Sequence, residues 1–156
     1  MAILKPLVLK NGRIERLQDG DSLDTSADRL QRTFTSATSI CMAVYVDGPG
    51  SVEKAQANVI GTVDVLGLAA ETVGAASSGG VVTNGQVTAT TGQWDNVTGQ
   101  SGGLTTGSLY FLSAADAGEI LVEGSQPNAT GEFVKRIGQA LSTTEMEVRI
   151  FQDIKL

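Results

Sequence analysis

The chain has 156 residues and no histidine, which removes most side-chain chemistry at neutral pH. Ser-His-Asp and Cys-His nucleophiles and His-bearing metal sites are excluded. The one cysteine, Cys41, lies in the apolar run Ile40-Cys41-Met42-Ala43-Val44, so it reads as a small buried hydrophobe. A nucleophilic thiol needs a basic partner, and a lone thiol forms no intramolecular disulfide. Glu119 and Glu123 stand at i and i+4, a spacing that raises the question of a carboxylate pair, but both read as solvated acids. Asp19, Asp21 and Asp24 hint at a calcium loop. That loop wants Gly sixth and Glu twelfth; counted from Asp19, Gly falls second and Leu30 stands twelfth. Turn chemistry accounts for the segment. No glycine-rich stretch fits GxxxxGK[ST], and no GxGxxG opens a helix after a strand. The sequence therefore assigns no catalytic residue, no metal ligand and no cofactor.

Two other features bear on recognition. Trp94, in Gly92-Gln93-Trp94-Asp95, is the sole tryptophan of a chain with 4% aromatics. It is either a sugar-stacking surface or an anchor of a core or interface, and in so aromatic-poor a chain the anchor is the expectation. Arg13, Arg16, Arg29 and Arg32 concentrate in the first third. The net charge of −6 gives no gain from counterion release, so nucleic acid is not an expected partner. These arginines read as solvated or interface residues.

The positioning elements are short strands. Nineteen glycines and 18% charged residues fit a turn-rich globular β protein. Leu7–Lys10, Asn11-Gly12 and Arg13–Leu17 read as a hairpin pairing Lys10 with Arg13 and Leu9 with Ile14. Such a hairpin is marginal alone and must pack on the main domain or another subunit. Ser26–Arg32 and Val52–Ala57 read as short helical turns. Thr33–Val46 is the longest β-like run, and Asp47-Gly48-Pro49-Gly50 ends it. Val59–Val63 reads as a strand, and Val65–Ala70 as strand or helix. Val81–Thr83 and Gln86–Thr90 flank Asn84-Gly85, the signature of a second hairpin. Leu109–Leu112 reads as a strand covered on both faces. Glu119–Glu123 reads as a strand, Gly131–Leu141 as a strand with a bulge at Gly138, and Glu145–Phe151 as a half-buried strand. The expectation is an all-β fold: a compact antiparallel barrel or sandwich with an N-terminal hairpin arm and at most one or two short helices. Residues 1–57 would form the arm and its connection, and 58–156 the β-domain. No apolar run approaches the ~20 residues that span a membrane, and Lys5 and Pro6 interrupt the N-terminal run, so no membrane partner is expected and synthesis is placed in a cytoplasm.

Two stretches carry a resemblance. Residues 5–24, KPLVLKNGRIERLQDGDSLD, resemble the opening of structural proteins of tailed bacteriophages. The second stretch begins at Ala57–Gly61 and continues through Val81–Gly85, Gln93–Asp95, Gly102–Thr105, Gly107, Tyr110–Ser113 and Ile137–Met146. It resembles a β-domain of phage head decoration (cement) proteins, also found in tail-fibre and baseplate proteins. The short length favours decoration. The resemblance implies a virion protein on the capsid exterior that binds the major capsid protein, bridges capsomers and associates with itself, as a homotrimer. The arm would reach a neighbour, with Leu7, Leu9 and Ile14 buried between chains and Arg13 and Arg16 on acidic capsid surface. Trp94 joins these as a candidate interface residue. A tail module that binds a host receptor or glycan is the alternative.

Overall fold

The computed structural model describes residues 7–10, 13–16 and 28–156. Strands β1 (Leu7–Lys10) and β2 (Arg13–Arg16) pair antiparallel in the expected register, Leu9 opposite Ile14 and Lys10 opposite Arg13. They form a two-stranded sheet of their own. The acid-rich turn at 18–24 lies outside the described residues.

The body begins with five strands: β3 (Asp28–Phe34), β4 (Ala43–Gly48), β5 (Ser51–Lys54), β6 (Val65–Ala69) and β7 (Ser77–Thr88). They run in the order β3-β5-β4-β6-β7, and the β3–β7 pairing closes them into a barrel. All neighbours are antiparallel except β3–β5. Two expected helices are strands here. A helix of one or two turns is not stable on its own, and β7 offers β3 a ladder from Asp28–Asn84 to Phe34–Ser77. Gly50, at φ +78°, turns the chain back so that Ser51–Lys54 pairs with β4. The expected run 33–46 is broken between Phe34, where β3 ends, and Ala43, where β4 begins; Cys41 in this connection has φ +70°. Three barrel strands precede residue 58 and two follow it, so the expected boundary at 57/58 runs through the barrel.

The five barrel strands supply Phe34, Val44, Val52, Ala69 and Val81, which pack together with Val73, and Leu66 of β6 packs against them. The neighbouring residues Ala43, Leu68 and Val82 belong to a second, larger core on the other side of β4, β6 and β7. Burial of consecutive residues marks a strand covered on both faces.

Beyond the barrel the sheet continues from β7 into β12 (Glu145–Val148), β11 (Arg136–Ala140), β8 (Leu109–Leu112) and β9 (Ile120–Val122). A separate pair joins β10 (Phe133–Val134) to β13 (Ile154–Lys155). The Asn84-Gly85 hairpin does not form. A type I′ turn needs φ > 0 at both central residues, and only Gly85 has it, at +94°. Instead Asn84 lies opposite Asp28 and Gly85 opposite Val148, where β7 leaves β3 and takes β12 as its partner. The ladder between β11 and β8 shifts register between Arg136 and Gly138, the expected bulge. Met146 and Val148 are buried and Glu147 exposed, as the alternation implied. In β8, Tyr110 and Leu112 are buried while Leu109 and Phe111 are half-exposed, so that strand is covered on one face only. Residues 59–63 form turns, not a strand, with Ile60 78% exposed.

Among the described residues there is one helix, α1 (Thr91–Thr98). The Thr90 hydroxyl accepts the Gln93 N–H, and the Gln93 side chain accepts the Thr90 N–H, a capping box. Gly99 in the left-handed conformation ends it. No described helix is long and apolar enough to cross a membrane.

Two glycines in this frame give opposite outcomes when changed to alanine. A Cβ on Gly67 would sit 2.2 Å from the Val82 carbonyl oxygen, at the wall between the cores. Gly67→Ala is expected to destabilise by about 3 kcal/mol. A Cβ on Gly92, inside α1, would touch nothing within 4 Å. Gly92→Ala is expected to stabilise by about 0.5–1 kcal/mol. Urea unfolding of both variants checks the signs.

Candidate functional site

The sequence-derived candidates fall at two separate places. Leu7, Leu9, Arg13, Ile14 and Arg16 lie on the β1–β2 pair, which makes no ladder with the nine-stranded sheet. Of the other N-terminal arginines, Arg29 is exposed on β3 and Arg32 is half-buried, with Nη1 donating to the Gln31 carbonyl at 2.8 Å.

Trp94 lies at the centre of the second half. It is fully buried in the larger core with Val97 and Leu104. Its indole Nε1 donates to the Thr144 carbonyl at 3.0 Å, just before β12, so the polar edge of the ring is satisfied within the chain. Of the expected roles, core anchor is the one it fills; an interface contact through Trp94 is corrected, since no part of the ring is open to a partner. The segment after α1 is held down rather than splayed. The Asp95 carboxylate accepts the N–H groups of Gly103 (2.7 Å) and Gly102 (3.1 Å). The Tyr110 hydroxyl donates to Gln100 Oε1 at 2.5 Å and accepts the Thr105 N–H at 2.8 Å. The sequence reading placed no helix here; the signal that could have found it is the capping pattern Thr90-x-x-Gln93 ahead of Gly99.

The titratable candidates do not converge. Cys41 is fully buried, and burial pushes its thiol up to about 12. Burial also raises the Glu119 carboxyl, and the Asp116 carboxylate adds to the effect. Glu119 is half-buried at one end of β9 and Glu123 exposed past the other. Four residues of extended chain span about 13 Å, beyond the reach of a shared proton. The described residues hold no group of three or more His, Cys, Asp or Glu side chains placed to hold a metal.

What the sequence did not single out is the meeting of Arg136 with Phe151, the guanidinium carbon 4.4 Å from the ring centroid. The two are fifteen residues apart in the chain and no local pattern links them. The exposed apolar side chains Val59, Ile60, Phe151, Ile154 and Leu156 were likewise missed; Val59 and Ile60 carried a strand-like composition, and only Gly61 signalled a turn.

No protein-family model matches the chain, and no curated protein matches it.

Two measurements check this placement. Trp94 fluorescence should be blue-shifted and unresponsive to iodide, and simple sugars should leave it unchanged. Exposure of the ring to quencher would contradict its burial. For Cys41, the folded state keeps its proton above the ordinary 9.0 while the unfolded state releases it. The thiol contribution to stability is therefore full below pH 9.0 and falls between 9.0 and about 12. Urea midpoints across that range should fall more steeply for the native chain than for Cys41→Ala.

Proposed function

We propose that the chain is a structural virion protein that binds the outside of an expanded phage capsid and bridges capsomers to stabilise the head. The observation that carries this reading is the N-terminal hairpin. Among the described residues its two strands pair with each other alone, outside the nine-stranded sheet. A free-standing two-stranded hairpin is marginal in water, and packing on a neighbouring subunit supplies what it lacks. In this reading Leu7, Leu9 and Ile14 bury against the neighbour, and Arg13 and Arg16 meet acidic groups of the major capsid protein. The function is mechanical: a specific interface of at least ~1,000 Å² adds contact area against internal pressure. Self-association as a trimer at local three-fold positions completes the proposal. A tail-fibre or baseplate module reading a host glycan would need a platform other than Trp94, which is fully buried.

The test is to mix the purified protein with expanded capsids that lack it and sediment them. The expected result is co-sedimentation, saturating at a ratio set by the lattice three-folds. Deletion of residues 1–24 should abolish it while leaving Trp94 emission unchanged. Protein that stays in the supernatant of competent capsids overturns the reading.

A further inference from the structure

The meeting of Arg136 with Phe151 forms one side of a cleft of about 390 Å³ on the outer surface. Phe111 of β8, Val134 of β10 and Ile154 of β13 supply apolar walls. Phe151 and Ile154 are 42% and 65% exposed, large apolar side chains without cover. A guanidinium stacked on a ring is held in place while its edge donors stay available. Arg136 has no carboxylate partner among the described residues, and its Nε is buried without a hydrogen bond. The acid on the wall, Asp153, is engaged by Lys135 Nζ at 3.5 Å. Lys155, the next residue of β13, stands over the Phe133 ring, 6.0 Å from its centroid, on the face of the β10–β13 pair opposite Val134 and Ile154, so Arg136 is the cation of the cleft itself.

The backbone beside the cleft is also incomplete. Strand β13 pairs with β10 and with no other strand, so its far edge is unpaired among the described residues. An open edge next to a pocket for alternate side chains is the arrangement that receives an added strand. We propose that this cleft docks an extended acidic segment of a partner polypeptide. The segment lies along the free edge of β13 and sets an apolar side chain against Phe111, Val134 and Phe151. Two residues further on, on the same face of the strand, a carboxylate meets Arg136. The proposal stands apart from the capsid reading and assumes nothing about which protein supplies the segment.

The probe is an acetylated, amidated pentapeptide, Glu-Ser-Leu-Ser-Glu, titrated into the isotope-labelled full chain and followed by heteronuclear NMR. Saturable shifts confined to residues around 111, 134, 136 and 151–155 are expected. The Gln-Ser-Leu-Ser-Gln peptide should bind roughly tenfold more weakly, the size of one charge-assisted hydrogen bond. Arg136→Gln should bring the two peptides to equal, weak binding, and Arg136→Lys should keep part of the preference. Ile154→Glu, at a largely exposed position, sets a like charge at the cleft and should weaken the acidic peptide without disturbing the fold. The absence of saturable shifts overturns the proposal, as does equal binding of the two peptides to the native chain or shifts centred elsewhere. Capsid sedimentation can succeed or fail independently of these outcomes.

Discussion

Both cores of this protein press on the same backbone. Strands β4, β6 and β7 bury Ala43-Val44, Leu68-Ala69 and Val81-Val82 on opposite faces, one residue of each pair in the barrel and the other in the larger core. Each such side chain contributes about 1–3 kcal/mol when fully buried, yet the geometry asks more of the wall than apolarity. Its backbone groups must find partners inside the protein, in the ladder or beside it, as the Ala43 N–H does at the Gly118 carbonyl. Its strands must also lie close, which is why position 67 has no room for a methyl group against the Val82 carbonyl. A polar residue at any of the six positions would face a core, so selection by packing is double.

The second half is organised by a different device. Strand β7 leaves the barrel at Gly85, and from there the chain must cover the far side of the wall with short strands and one helix. Trp94 fills the space, and its bond to the Thr144 carbonyl ties α1 to the start of β12. Asp95, the next residue, binds the two glycine amides that close the loop. Tyr110 holds the same loop from the β8 side. One short helix thus fixes ring, loop and strand together, and its caps offset a sequence with little helix propensity of its own.

The all-β class, the first hairpin's register, the bulge at Gly138 and the alternation of Met146, Glu147 and Val148 were readable because each is set by neighbours in the chain. The errors share a cause. Asn84-Gly85 has hairpin composition, but whether a chain turns or passes through depends on which strands wait on either side, and here β3 and β12 do. Ser51–Lys54 and Asp28–Phe34 have weak local preferences that the sheet overrides. The wall strands lack alternation because both faces are buried, so their role is invisible to a period-two reading. Of the candidate interface residues, Trp94 went inward because nothing local distinguishes a ring that fills a core from one that waits for a partner.

The titratable side chains that the sequence singled out do not meet. Cys41 is sealed in an apolar core, and Glu119 and Glu123 stand at opposite ends of β9. Between residues 33 and 134, nine carboxylates stand against one cation, Lys54, while four of the eleven cations fall in residues 135–156. Of the eight large apolar side chains exposed among the described residues, Leu30, Val46 and Leu141 stand singly on separate segments. Val59 and Ile60 come from the turn after Ala57, and Phe151, Ile154 and Leu156 from the C-terminal chain. Strand β10 joins the two, since the Phe133 amide donates to the Ala57 carbonyl and Phe133 pairs with Lys155. Scattered exposed apolar side chains are ordinary; five of the eight here sit on these adjoining segments. Residues 135–156 set those four cations against three acids, Glu145, Glu147 and Asp153, so the charge balance along the chain changes sign after residue 134.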